Sequence, residues 1–195
     1  MEFIKHRPRI ILVSGPPGCG KSTLSRRLVQ EIGAVWLDKD CIDELFSPGD
    51  RGERYTREIE PKVLQALLNL GEINLQGGRD VILDVPWTHI LLNNPEWIGK
   101  IQKLTGDTDA KLFVIECHLS EEVLRERLSR RGLDRDQIKL TEEGWTRFKK
   151  RDRIGAKNPL PHCLIDVERS VEESVQQAIE YLKKGGFTNI KVNLT

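Results

Sequence analysis

Eight consecutive residues carry the plainest chemistry in this sequence. Gly15, Pro16, Pro17, Gly18, Cys19, Gly20, Lys21 and Ser22 fit the phosphate-loop pattern G-x-x-x-x-G-K-[ST] in full. They follow a short apolar run and open a segment with helical periodicity, the setting such a loop requires. The three glycines let the backbone curl until successive N–H groups face one point. The helix start behind them adds a positive dipole end. Lys21 is placed to reach the β- and γ-phosphates of a nucleotide, and the Ser22 hydroxyl to ligate Mg²⁺. A dinucleotide-binding turn is the rival, because Asp38 closes the next strand, where such folds hold a ribose. The glycine spacing here is G-x-x-G-x-G, not G-x-G-x-x-G, and Lys21 and Ser22 would have no task in that turn. Cys19 lies beside Lys21 near a helix start, where thiol pKa values fall; it reads as a filler of the loop.

Carboxylates come next. Asp38 and Asp40 stand at the carboxyl end of the second strand, with Asp43 and Glu44 just beyond. Asp40 as a helix cap is the bland reading. With a phosphate loop nearby, one of the pair is expected to hold Mg²⁺ water and the other to accept a proton from the acceptor. Asp84 ends the apolar run Val81-Ile-Leu-Asp, and an acid so placed is costly unless paired or metal-bound. It is expected to hold the metal or to orient the acceptor. Trp87 follows two residues after Val85 and is read as a wall of the acceptor pocket.

From Arg125 to Lys157 twelve Lys/Arg face six Asp/Glu, a balance of +6 in a chain of net charge +1. Arginines on a flap over a phosphate loop neutralise charge on the transferred group and exclude water. Arg127 and Arg131 are i,i+4 and share one helix face. The stretch from Asp40 to Glu60 has the opposite sign, with seven acids against three arginines.

These residues need a scaffold that brings strand ends together. Short apolar runs at Arg9–Ser14, Ala34–Leu37, Asp80–Val85, Lys111–Cys117 and Cys163–Val167 alternate with helical stripes. Ser120 followed by Glu121 and Glu122 reads as a helix start, and Ser170 to Glu173 as a capping box. Five buried strands separated by helices imply an α/β fold, a three-layer α/β/α sandwich around a five-stranded parallel sheet. Ligands of such sheets bind outside the carboxyl ends of the strands. Residues 185–195 carry a period-2 pattern at their end and are expected to form an extra strand or a flexible tail.

The 195 residues suit a single domain with a core that needs no disulfide staple. Apolar residues are 38% and charged residues 31%, with 31 basic against 30 acidic. Neither a globally basic nucleic-acid binder nor a disordered acidic chain has this balance. No apolar run approaches the ~18 residues of a membrane span. The N-terminal residues lack a signal-peptide pattern, and four scattered cysteines read as free thiols. A cytoplasmic setting is therefore expected. His6, His89, His118 and His162 are isolated and form no metal motif.

The ordered set GPPGCGKST, LDKD, VILD, RLSRRGLDRD and PHCLIDVERSVEE resembles the small P-loop kinases of the polynucleotide-kinase, zeta-toxin, shikimate-kinase and chloramphenicol-phosphotransferase type. The resemblance spans Arg9 to about Leu182. It implies a sheet order of 2-3-1-4-5, ATP and Mg²⁺ as cofactors, and nucleotide contacts from Gly15 through Thr23. It also implies that Asp40 is the general base, that Asp84 orients the acceptor, and that Arg127 and Arg131 reach adenine and the transferred phosphate from a lid at about 128–140. Asp38 and Asp40 resemble the acid-x-acid pair of shikimate kinases. The polynucleotide kinases hold a basic residue three after the base, for the substrate's phosphate. Asp43 stands there instead, as an acceptor-side residue that disfavours a nucleic-acid end. The expected activity is an ATP-dependent phosphotransfer to a hydroxyl of a small molecule. A polynucleotide 5′-hydroxyl kinase and a nucleotide-dependent switch are the alternatives. Against the switch, no Asn-Lys-x-Asp guanine motif occurs and no second helical domain of an AAA motor remains.

Overall fold

All five apolar runs form strands of one sheet. In the computed structural model, which describes residues 7–47 and 52–185, these are β1 (Arg9–Ser14), β2 (Val35–Asp38), β3 (Val81–Asp84), β4 (Lys111–His118) and β5 (Cys163–Asp166). Every pairing is parallel and the order is β2-β3-β1-β4-β5, as expected. The side-chain period of two splits the apolar strands between two cores. Ile10, Leu12, Leu83 and Val114 face one core, and Ile11, Val13, Ile82 and Ile115 the other.

Helices cover both faces. The first core is closed by α3 (Glu60–Gln76), α4 (Trp87–Asn93) and α5 (Glu96–Asp107). The second is closed by α1 (Lys21–Ile32), α6 (Glu121–Arg131), α8 (Glu142–Arg151) and α9 (Val171–Lys183). The helix starts behave as their sequences imply. Ser120 Oγ accepts from Val123 N–H at 3.4 Å, and Ser170 and Glu173 close a capping box. The helices α4 and α5 escaped the sequence reading; Pro86 and Pro95 stand at their N-caps, and α4 has only seven residues.

Two expectations change here. The helix α2 (Lys39–Phe46) begins two residues earlier than Cys41, so Asp38 and not Asp40 is its cap; Asp38 Oδ1 accepts from Asp40 N–H at 2.9 Å. Trp87 is no pocket wall. It is fully buried in the first core, and its indole N–H donates to Leu83 O at 3.2 Å, four residues back. Residues 186–195, read as a strand or tail, lie outside the described residues.

Candidate active site

The loop from Gly15 to Gly20 joins β1 to α1 at the carboxyl edge of the sheet. Its glycines are dictated by space as well as conformation. Gly15 has φ 136°, and a Cβ there would lie 2.7 Å from Cys117 O. Gly18 has φ 85°, and its Cβ would lie 2.7 Å from Leu128 Cδ2. A side chain at either position would push the loop off α6 and β4. Gly20 is the N-cap of α1 and supplies no side-chain cap, which leaves the first-turn amides of α1 for an anion. Lys21 Nζ lies inside this loop and donates to Pro16 O at 3.1 Å. Burial works against its ammonium, but Cys19, Asp84 and Asp40 outweigh that and raise its pKa. Ser22 is half-buried and Thr23 exposed in the same first turn.

Acids converge on the lysine because of strand register. Val13, Asp84 and Asp38 are consecutive partners across β1, β3 and β2. Adjacent strands are about 4.8 Å apart, so the two carboxylates leave the sheet edge as neighbours. Asp84 is only 2% exposed. Burial raises its pKa, against lowering contributions from Lys21, Ser22, Ser25 and Trp36. One oxygen of Asp84, the Ser25 hydroxyl and the Trp36 indole nitrogen are all buried and close no hydrogen bond of normal geometry. Asp38 is also raised, by burial first and by the charge of Asp84 second. Asp40 is exposed in the first turn of α2 and adds to the field at Lys21.

This set fits a divalent cation. A buried carboxylate oxygen without a donor, a second carboxylate on the next strand and a hydroxyl at the helix start offer hard oxygen ligands, as Mg²⁺ prefers. The ammonium of Lys21 sits beside them to share a phosphate. Among the described residues no group of three or more His, Cys, Asp or Glu side chains stands ready-made for a metal. An Mg²⁺ held by one or two carboxylates plus substrate phosphates needs none.

The other expected residues divide. Arg127 does reach the loop: Nη1 donates to Cys19 O at 2.6 Å and Nη2 to Val167 O at 2.7 Å. Its guanidinium thus ties the phosphate loop to the turn after β5. Arg131 does not reach it. Its Nε and Nη2 donate to Asp136 Oδ2 at 2.9 and 2.5 Å, and Lys139 Nζ donates to Asp136 Oδ1 at 2.6 Å. Burial works against the Asp136 carboxylate, but the two cations outweigh it and lower its pKa. Residues 128–140 are therefore the end of α6, the short helix α7 (Asp134–Gln137) and a 3₁₀ turn at Ile138–Leu140, clasped around one buried acid.

Asp43 is corrected from an acceptor contact to a structural ion. It is fully buried, and Lys39 Nζ donates to it at 2.8 Å. The same ammonium meets Tyr55 Oη at 2.5 Å and Glu60 Oε1 at 3.0 Å. This cluster pins α2 to α3. Only the i,i+4 spacing of Lys39 and Asp43 hinted at it.

A second polar cluster escaped the sequence entirely. Thr88 Oγ1 donates to Glu116 Oε2 at 2.6 Å, and Asn158 Nδ2 donates to the same oxygen at 3.0 Å. Ser14 Oγ accepts from Thr88 N–H at 3.0 Å. These residues lie beside the phosphate loop, at the edge of a cavity of about 490 Å³. Behind the loop, Cys19 and Cys117 are both buried and interact through their thiols. Burial opposes the Cys19 thiolate, but Cys117 and Lys21 hold its pKa near 7.

Fold order, loop geometry and acid placement together define a P-loop kinase-type fold. The chain belongs to the AAA_33 family, described as an AAA domain, which matches residues 10–153. Its fold is that of the small P-loop kinases. It is 30% identical over 134 residues to the uncharacterized protein Rv2004c of Mycobacterium tuberculosis, covering 64% of this chain and 26% of that protein. It is 40% identical over 82 residues to a shikimate kinase of Corynebacterium efficiens, covering 37% of this chain and 47% of that enzyme. The chain thus spans about a quarter to a half of the length of these relatives. Among solved structures, a putative kinase from Chloroflexus aurantiacus matches with TM-score 0.69 and 22% identity, over 94% of this chain and all of that one. The shikimate kinase of Aquifex aeolicus matches with TM-score 0.58 and 18% identity, over 89% and 96%. Both likenesses are of fold. Among the described residues no helix is long and apolar enough to cross a membrane.

Proposed function

We propose that this protein moves the γ-phosphoryl group of ATP to a hydroxyl of a small molecule, with Mg²⁺. One observation carries the reading: the buried Asp84 presents an oxygen without a donor beside Lys21 and Ser22, one strand from Asp38. The loop amides and Lys21 bind and orient the triphosphate. Ser22, with Asp84 or Asp38, would hold Mg²⁺, which supplies charge neutralisation between the β- and γ-phosphates. Asp40, exposed at the start of α2, orients the acceptor hydroxyl and takes its proton. Arg127 holds the adenine side of the loop through its two carbonyl contacts. Arg131 closes on the transferred group when the 128–140 segment acts as a lid and Asp136 releases it. The whole chain works as a single catalytic domain in this reading.

A nucleic-acid end is a poor acceptor here. The segment from Asp40 to Glu60 carries a balance of −4, and the position that would hold a substrate phosphate is the buried Asp43. The test is ADP release from ATP and Mg²⁺ with a panel of sugars, nucleosides, hydroxylated antibiotics and a 5′-hydroxyl oligonucleotide. Acceptor-dependent release that falls at least a hundredfold in Asp40→Asn is the expected result. Nucleotide binding with no acceptor effect anywhere would sink the proposal.

A further inference from the structure

The cavity of about 490 Å³ lies at the carboxyl ends of β1 and β4, beside the phosphate loop. Gly15, Pro16, Pro17, Pro86, Thr88 and residues 152–158 line it. Its volume suits a ligand from a monosaccharide to a nucleoside. The apolar side is made by Leu119, Leu124 and Ile154. Among the described lining residues, Glu116 is the charged side chain that is buried, at 8% exposure.

Its two oxygens differ. Oε2 accepts from Thr88 and Asn158, both neutral donors. Oε1 has no hydrogen-bond partner among the described residues, and Glu116 lines the cavity. No described cation pairs with Glu116. The lining cations have other placements: Arg153 donates to Asn93 Oδ1 at 3.1 and 3.2 Å, and Lys157 is exposed at the rim. Thr88 and Asn158 fix the carboxylate's orientation without neutralising it. A buried carboxylate is stabilised by a paired and hydrogen-bonded cation more than by a neutral group.

We propose that this cavity holds the amine-bearing end of the acceptor, whose reacting hydroxyl reaches past Gly15–Pro17 toward Asp40, and that Glu116 selects acceptors carrying a protonated amino group beside their hydroxyls, such as amino sugars or aminocyclitols. The inference rests on the kinase reading for the word acceptor, but not for the binding it describes. The backbone supplies the span. Ser14 pairs with Glu116 and Val13 with Asp84, on opposite sides of β1. Two strand spacings, about 10 Å, separate the two acids' backbones. A six-membered ring with its substituents bridges that distance, with its ammonium at Glu116 and a hydroxyl at the phosphate loop.

The experiment uses the full chain and matched ligands: glucosamine, glucose and N-acetylglucosamine, and 2-deoxystreptamine with its N-acetylated form. Affinities are measured by ligand-observed NMR without nucleotide, then ADP release is followed with ATP and Mg²⁺. The free amines are expected to bind at least tenfold more tightly than their uncharged counterparts. Glu116→Gln, which keeps both neutral hydrogen bonds, should erase that preference at unchanged circular dichroism. Glu116→Asp, which keeps the charge one methylene further back, should show an intermediate loss. Equal binding of the uncharged members, a preference that survives Glu116→Gln, or no binding by any member would overturn the proposal. Amine binding without ADP release would uphold the pocket and defeat the kinase reading. Release with uncharged acceptors, unchanged in Glu116→Gln, would do the reverse.

Discussion

Asp84→Asn is expected to make the protein more stable and less able to use Mg²⁺ with a nucleotide. The carboxylate is buried to 2% exposure, has a raised pKa, and leaves one oxygen without a donor. A buried unsatisfied polar group costs about 1–3 kcal/mol. Asparagine removes the charge and brings two N–H donors toward the Ser25 hydroxyl, itself without a partner. A gain of about 1–3 kcal/mol raises the melting temperature of a chain this size by roughly 2–12 °C. The pH dependence carries the same signature. A carboxylate raised in the folded state binds its proton more readily there than in the unfolded chain. Its destabilising contribution is therefore full at neutral pH and fades as pH falls through the raised value toward 3.8. The wild type should gain stability on mild acidification through this group, and Asp84→Asn should gain less. Thermal melts of both proteins from pH 7 to pH 4, with and without Mg²⁺ and ATP, provide the assay. The Mg²⁺-dependent part of the nucleotide-induced shift should vanish in the variant. A variant less stable than wild type without nucleotide, or one that keeps its Mg²⁺-dependent shift, would refute the reasoning.

Other perturbations separate loop, clamp and core. Gly18→Ala places a Cβ 2.7 Å from Leu128 Cδ2 at φ 85°; ATP affinity measured by calorimetry should fall at least tenfold, and the left-handed backbone adds a cost of about 1–2 kcal/mol. Arg127→Lys loses the planar fork that reaches Cys19 O and Val167 O from two separate nitrogens; nucleotide binding should weaken about tenfold with little change in the ligand-free melt. Trp87→Phe leaves Leu83 O without the indole donor inside the core; a stability loss of about 1–3 kcal/mol in urea is expected, with the acceptor KM unchanged. A raised acceptor KM at normal stability would return Trp87 to the pocket.

What the sequence discloses and what it hides follow one physical rule. The phosphate loop is legible because its task is local: three glycines, a lysine and a hydroxyl act within one turn of chain. The strands are legible because burial on both faces leaves continuous apolar runs. Asp84 is legible because an acid ending such a run has nowhere apolar to go. Asp43 and Trp87 were misjudged because their environments are made by distant segments. Lys39, Tyr55 and Glu60 meet around Asp43 only after α2 and α3 pack. Trp87 opens α4, a helix too short to announce itself by periodicity, and is buried in the first core. Arg131 reads as a lid residue on the transferred phosphate, yet the acid that binds it, Asp136, carries no signal beyond its charge.

Glu116 shows how far that rule reaches. In the run Lys111–His118 it looks like an interruption near the end of a buried strand, no different from Glu at any strand terminus. The parity of β4 decides its meaning. Leu112 and Val114 face the first core, and Glu116 follows them at the same parity, under Thr88 and Asn158. Phe113, Ile115 and Cys117 face the second core, where Cys117 backs the phosphate loop. Asp84 has the opposite parity to Leu83 and lies with Ile82 on the side of α1, Ser25 and Trp36. The pleat therefore sends one acid to each flank of β1: Asp84 toward Lys21 and Ser22, Glu116 toward Thr88 and Asn158. Arg127 and Val167, which frame the nucleotide side of the loop, belong with the second flank.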